Sequence, residues 1–313
     1  MKKSRRTARI DLLGMGIIPF DLLFNVDRYP GPGMKIDASG FFMQGGGPVP
    51  NVAIGLSRLG YKTALIAVVG NDPFGVISIE ELKREGVDHR FIIVKKQPSA
   101  LAGGWIEDGS GRRTLVLSRR IFVRPSDIRT SEYPLPRVLH LDGRDMPATL
   151  KLARWAKRKR VPVSFDIGSM RNDVSAVFPY VDHLVVADTY AFGFTKTTTA
   201  RAAIKKLARL CPGTIVVTEG IKGSTGSDNP ADPKPEFVFQ PAYRVKNVDT
   251  TGAGDCYHTG YLYGLLTGHG LSGRMRLGSA AAALKCTRAG ARTGIPNKPE
   301  LLKFLQGNPK TYE

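Results

Sequence analysis

From Arg137 onward the chain alternates short apolar runs with amphipathic stretches, and this alternation restricts the fold more than any other feature. Arg137–Asp142 (RVLHLD), Val161–Ile167 (VPVSFDI), His183–Ala187 (HLVVA) and Thr214–Thr218 (TIVVT) read as strands. Ala148–Lys159 and Thr199–Leu210 read as helices between them, and helices around Asp255–Leu266 and Met275–Thr287 close the chain. Strands that are apolar along their length and spaced by helices are covered on both faces. The pattern therefore predicts an α/β fold in three layers, α/β/α, around a mostly parallel central sheet. Ile10–Ile17 and Thr63–Val69 extend that sheet, with a helix at Val52–Leu59 between them.

Part of the first 130 residues has a different texture. Met34–Met43, Ala100–Glu107 and Arg113–Leu117 are short and partly alternating, and Asp108-Gly109-Ser110-Gly111 is a hairpin turn signal. They predict a small separate sheet, a β-sheet lid, inserted near residues 34–43 and 100–118 of one domain spanning 10–313. Residues 1–9 form a basic tail, and Ser224–Glu236 (STGSDNPADPKPE) reads as a loop by composition.

Composition enters where partners are at issue. Lys and Arg number 46 against 27 Asp and Glu, a formal charge of +19. Much of the excess is clustered in Lys2, Lys3, Arg5, Arg6 and Arg9 and at the end of the Ala148–Lys159 helix, where cations complement the helix dipole. There is no basic stripe interleaved with aromatics and no zinc-finger spacing, so specific nucleic-acid binding is not expected. Attraction to anionic small molecules is the milder implication. Asp11 and Asp21 interrupt the greasy Ile10–Phe24 stretch, and no apolar run approaches the ~20 residues of a membrane span. Three cysteines, Cys211, Cys256 and Cys286, show no CxxC spacing. A cytoplasmic protein without membrane contact is expected.

No Gly-Lys dipeptide occurs, so there is no Walker A loop, and the one GxGxxG (Gly268–Gly273) follows a helix and not a strand. The five histidines lack ligand spacing, and His140 reads as a packed residue inside a strand. Two glycine-rich segments each open a helix: Gly45–Asn51 (GGGPVPN) and Asp249–Asp255 (DTTGAGD). Either is compatible with a plain tight turn. The second also suits phosphoryl transfer, which asks mainly for alignment and for neutralised charge. The amides of Gly252, Ala253 and Gly254 are placed to cradle an anion at a helix N-terminus, with Asp255 beside them as a proton acceptor.

With these residues the chain resembles the ribokinase-like (PfkB) carbohydrate kinases. Asp249–Asp255 is similar to that family's C-terminal signature. Gly45–Asn51, with Ala53 and Leu59-Gly60, is similar to its N-terminal one. The likeness spans roughly residues 8–305. It implies that Asp255 is the catalytic base and that Gly252, Ala253 and Gly254 form the anion hole. It also implies that Asp21 (in GIIPFD), Gly46 and Asn51 bind the sugar. Asp188 is then near Mg²⁺ and phosphate, and Thr218, Glu219, Gly220 and Gly223 make the nucleotide-side turn. Asp249 and Thr251 match positions that bind a monovalent cation such as K⁺ in some members. ATP and Mg²⁺ are the implied cofactors, and a homodimer through the lid is the implied assembly.

Finer likenesses point to branches. His140–Arg144 (HLDGR) and Arg113–Leu117 (RTLVL) resemble ketohexokinases, which puts Arg113 near the nucleotide. Ala283–Pro296 (ALKCTRAGARTGIP) resembles 6-deoxy-6-sulfofructose kinases, whose basic residues at the sulfonate end match Lys35 and Arg144. Ordinary alternatives stand beside these: Lys35 as a solvated lid residue, Arg144 as the partner of Asp145, and Cys286 as packing. The leading expectation is an ATP-dependent kinase acting on a primary hydroxyl of a ketohexose-like or anionic (sulfonated or phosphorylated) sugar. A nucleoside kinase of the same family and a non-catalytic sugar- or nucleotide-binding regulator are the alternatives.

Overall fold

The computed structural model describes residues 9–168 and 173–308. Lys2, Lys3, Arg5 and Arg6 of the expected tail lie outside the described residues, and Arg9 is exposed. Seven parallel strands form the centre of the main sheet: β1 (Ile10–Met15), β4 (Thr63–Gly70), β5 (Asp88–Lys95), β8 (Pro136–Leu141), β9 (Val163–Ile167), β10 (His183–Ala187) and β11 (Thr214–Thr218). Two antiparallel strands, β12 (Ser224–Ser227) and β13 (Val238–Gln240), extend one edge, giving the order β13-β12-β11-β10-β9-β8-β1-β4-β5.

Side-chain alternation sorts the core into two layers, one on each face of this sheet. Leu13, Leu139, Phe165, Leu184 and Ile215 face α3 (Met146–Lys159), α4 (Asp188–Thr195) and α5 (Ala200–Leu207). Leu12, Val138, Val185 and Val216 face α1 (Pro48–Arg58), α6 (Ala253–Leu266), α7 (Leu271–Cys286) and α8 (Lys298–Gly307). On this second face the pattern is interrupted in the middle by His140, Ser164 and Asp166, all buried under α6. A helix α2 (Pro73–Arg84) begins at Asp72, whose carboxylate accepts from the Gly75 N–H with Pro73 at the first helical position.

The second sheet has the order β3-β2-β6-β7, with β2 (Phe20–Val26), β3 (Gly40–Gly45), β6 (Leu101–Glu107) and β7 (Arg113–Ser118). Two expectations change. The strand expected at Met34–Met43 starts only at Gly40, so Lys35 lies in the β2–β3 loop. Ser224–Ser227, expected as loop, is a buried strand paired with β11. Small residues fit there because α7 lies close; a Cβ on Gly226 would meet the Met275 sulfur at 2.9 Å. The polar, glycine-containing composition that suggested a loop is the composition this tight space requires.

Helix α6, which carries Asp255, is held against both neighbours by close backbone approaches. A Cβ on Gly260 would stand 2.2 Å from the Leu277 carbonyl oxygen of α7, and one on Gly55 of α1 would meet the Thr259 side chain at 2.5 Å. Gly260→Ala should therefore cost about 1–3 kcal/mol as an overpacked contact, seen as a lower urea midpoint; an unchanged midpoint would mean that α6 and α7 do not touch this closely.

Candidate active site

The glycine segments place two helix N-termini side by side. Gly47 (φ 99°) precedes α1, with Pro48 at its first position, and Gly252 (φ 77°) precedes α6. Both glycines hold left-handed backbone that a β-carbon would strain. The result is one direct contact between the motifs: Asn51 Nδ2 donates to Asp255 Oδ2 at 2.7 Å. Asn51 is fixed in turn, because its Oδ1 accepts from Arg292 Nε at 3.1 Å. Arg292 also donates to Glu81 of α2 and to the Gly46 carbonyl oxygen, and Glu81 accepts from the Gly45 N–H at 2.8 Å. The guanidinium is buried and links α2, the first glycine loop, α1 and the 288–296 segment.

Asp21, on β2, meets this cluster from the second sheet. Gly46 has no room for a side chain because a Cβ would stand 2.5 Å from the Asp21 carboxylate. Asp21 is 8% exposed. Burial pushes its pKa up to about 6, against the opposing charges of Arg292 and Arg113. Asp255 is also raised from the usual carboxylate range. Desolvation is the main cause and the Asp166 charge adds to it, while the Asn51 hydrogen bond, Arg113 and His258 oppose it. A carboxylate with heightened proton affinity, held in one orientation at a helix N-terminus, has the properties of a general base.

Strand register relates Arg113 to Asp21. Asp21, Gln44 and Ala102 share one face of the small sheet, and so do Asn25, Ile106 and Arg113. Asp21 and Arg113 therefore lie on the same face, two rungs apart. The resemblance puts Arg113 near the nucleotide, and its charge also acts on Asp21 and Asp255. Arg144 follows β8, and the neighbouring Asp145 binds Arg119 at 2.6 Å. Lys35 is exposed and lines a cavity of ≈490 Å³ with Asp27, Arg28 and residues 36–39.

The C-terminal ends of β10 and β11 lead into Asp188 and Glu219. β10 and β11 are in register at Ala187 and Thr218, so the two carboxylates follow adjacent strands at one edge. Two neighbouring acids fit a hard dication that keeps water and phosphate as its remaining ligands. The Gly220–Gly223 turn needs positive φ at both glycines, 57° and 107°, and backbone packs over it; a Cβ on Gly223 would meet the Gln240 carbonyl oxygen at 2.2 Å. In the expected anion hole, the Ala253 N–H donates to the Thr250 carbonyl oxygen at 3.1 Å, and Gly254 is exposed with open space at its Cβ position.

The positions matched to a monovalent-cation site are differently furnished. Asp249 Oδ1 accepts from Thr251 N–H and Oδ2 from Gly290 N–H, both at 2.8 Å. The Asp249 carbonyl oxygen accepts from Lys285 Nζ at 2.6 Å. Burial lowers the proton affinity of Lys285, and the Asp249 charge opposes this. These three oxygens are already bonded within the chain, whereas the buried Thr251 Oγ1 has no hydrogen-bond partner among the described residues.

Several residues here had no role assigned from sequence. Arg292 lies in the 283–296 segment and Glu81 on α2, and neither carries a local motif that marks it. Asp142 binds the Ile17 N–H (3.0 Å) and the Arg144 N–H (3.0 Å), tying the ends of β1 and β8 together. Beneath Asp255, one helical turn on, His258 Nε2 is 3.1 Å from Asp166 Oδ1, and the His140 ring lies 5.2 Å from that of His258. Burial pushes His140 down to about 3, so it is neutral.

Comparisons with known proteins bear on the family and the fold. The family model described as pfkB family carbohydrate kinase matches residues 10–298. A 5-dehydro-2-deoxygluconokinase from Halalkalibacterium halodurans is 24% identical over 95% of this chain and 94% of its own length. A nucleoside kinase from Methanothermobacter thermautotrophicus is 26% identical over 94% of each chain. In fold, the crystal structure of ribokinase from Thermotoga maritima superposes with a TM-score of 0.83 at 24% identity, covering 95% of this chain and 99% of that one. The paired glycine loops, the carboxylates between them and a match over nearly the whole chain lead to one conclusion: this protein belongs to the pfkB family of carbohydrate kinases, phosphotransferases with an alcohol group as acceptor.

Proposed function

We propose that the protein transfers the γ-phosphoryl group of ATP to a primary hydroxyl of an anionic, ketose-like sugar. The observation that carries the reading is the Asn51–Asp255 hydrogen bond. It points the base of one glycine motif at the sugar-binding residues of the other. Asp21, Asn51 and the Gly46 backbone orient the sugar. Asp255 takes the proton from its hydroxyl as the oxygen attacks, and the Gly252–Gly254 turn receives the transferring group. Asp188 and Glu219 would hold Mg²⁺ when it arrives with ATP, and the ion would draw charge from the phosphoryl oxygens. Thr218, Gly220 and Gly223 shape the nucleotide side. The small sheet closes over the sugar and keeps out water, the competing acceptor.

Three observations favour an anionic sugar over a neutral one. Arg113 shares the site-facing side of the lid with Asp21. Lys35 and Arg144 stand on the loops after β2 and β8, on the lid and sheet sides. A relative is named as a kinase of a gluconate derivative, a sugar acid. We further assign a homodimer through the lid. Its outer face carries Leu22, Phe24, Phe41, Met43, Trp105 and Val116; Phe41 and Val116 are 53% and 63% exposed. Such an apolar patch is normally covered. Among the described residues no helix is long and apolar enough to cross a membrane, and we place the reaction in the cytoplasm, where ATP is supplied.

The reading is tested with a panel of neutral ketoses, sugar phosphates, sulfonates, sugar acids and nucleosides, with ADP release as readout. The highest kcat/KM is expected on an anionic sugar; a nucleoside ranking first would replace that substrate class. Asp255→Asn should lower kcat by about 10²–10⁴-fold, the usual share of a general base, while calorimetry shows ATP affinity nearly intact. Near-normal turnover would remove Asp255 from its role.

Asp21 gives a pH-dependent prediction. Its folded-state pKa, about 6, exceeds the ordinary 3.8. Between those values the native chain holds a proton that the unfolded chain has lost, so raising the pH removes stability. At ~1.36 kcal/mol per pKa unit the charged form costs up to about 3 kcal/mol. Asp21→Asn should therefore gain stability relative to wild type as pH rises from about 4 to 6, seen in paired melting curves, while KM for the sugar rises. A constant difference in Tm across that range would show that Asp21 ionises normally.

A further inference from the structure

Lys285, near the C-terminal end of α7, is 0% exposed, which is unusual for the most strongly hydrated of cations. Three oxygens of two residues lie around its ammonium. Nζ lies 2.6 Å from the Asp249 carbonyl oxygen, 3.2 Å from the Arg288 carbonyl oxygen and 3.6 Å from Asp249 Oδ2. These oxygens come from the two loops that build the phosphate turn. The Val248 and Asp249 N–H groups bond to the Cys286 carbonyl oxygen. Asp249 binds Thr251 N–H ahead of Gly252 and Gly290 N–H in the other loop. Gly252 itself leans on Ala291, where a Cβ would come within 3.1 Å of the Ala291 Cβ. Space around the lysine is tight as well, since a Cβ on Gly294 would lie 2.6 Å from the Lys285 carbonyl oxygen. One nitrogen thus gathers the carbonyls whose mutual repulsion would otherwise splay the turn.

We propose that the Lys285 ammonium is the resident cation of the phosphate-binding turn, standing in for a dissociable monovalent ion and freeing the enzyme from any need for K⁺. Lys285 is a positioning residue: it touches no substrate, and it sets the shape of the Gly252–Asp255 turn through Asp249. A tethered charge cannot dissociate, so the turn keeps its form whatever the salt. The proposal rests on the kinase reading of this turn, and the experiment below separates the two.

The wild-type enzyme is assayed for ADP release, and melted, in K⁺, in Na⁺, and with both replaced by tetramethylammonium at constant ionic strength. Activity is expected to agree within about twofold and Tm to stay unchanged. Saturable activation or stabilisation by K⁺ would overturn the proposal. Lys285→Ala removes the charge and opens its space. Its kcat should fall at least 100-fold with a much smaller change in sugar KM, and K⁺, NH₄⁺ or methylammonium should restore at least tenfold, saturably, and raise its Tm. Lys285→Met fills the space without charge and should not respond. An alanine variant that stays impaired and whose Tm no cation raises would show that the lysine serves packing alone and reject the idea. If neither variant folds, the wild-type comparison still decides. If no sugar or nucleoside releases ADP, the kinase reading fails while the Tm arms still report on the cation.

Discussion

The buried guanidinium of Arg292 is the interaction on which the site depends. Two carboxylates, Asp21 and Asp255, face the same small space, and the Asp255 charge raises the proton affinity of Asp21. Left alone, such a pair resists joint ionisation. Arg292 supplies opposing charge beside Asp21 and, through Asn51, fixes the orientation of Asp255. Burying that cation is tolerable because its donors are occupied, by Glu81, Asn51 and Gly46. The lid, α1 and α6 thereby become mutually dependent: a shift in any one would strand a charge. Arg113, exposed on the lid, adds charge that neither burial nor, among the described residues, hydrogen bonding fixes in place, and it is the part of this balance most open to influence from a ligand.

The same logic runs through the sheet beneath. A parallel sheet buried on both faces has little use for polar side chains, yet His140, Ser164 and Asp166 occupy its centre under α6. They are tolerated because they meet one another and His258, forming a polar layer directly below the base. Asp166 raises the proton affinity of Asp255 and His258 lowers it, so this layer acts on the chemistry without contacting substrate. Side-chain alternation alone dictates which face receives these residues, since Leu139, Leu141, Phe165 and Ile167 on the same strands all point the other way.

How much of this could be read from the sequence follows from how local each determinant is. The central strands and long helices were legible because their apolar pattern is fixed by burial on both faces; β10 and β11 fall where the pattern puts them. The glycine motifs were legible because positive φ and helix starts leave a local signature. What escaped is what depends on distant partners. Phe20–Val26 reads as a continuation of β1's greasy run, and only its pairing with β3 and β6 makes it part of the lid. Ser224–Ser227 hides its strand character because α7 leaves room for small residues alone. Arg292 looks like any arginine until Glu81, 211 positions away, is brought beside it.

The two buried cations divide a problem that an anion-binding turn always faces. The N–H groups of a phosphate-binding turn must keep their positions before any ligand arrives, and in the turn proposed here the carbonyl oxygens of Asp249 and Arg288 converge on one point. A mobile ion can bind those carbonyls, at the cost of making the turn's shape depend on the surrounding salt. Lys285 does it from within, and the Asp249 carboxylate, 3.6 Å from Nζ, opposes its charge. The turn can then draw its selectivity from helix dipole and amide geometry, and the net positive charge of the rest of the chain is left to attract the anionic ligands.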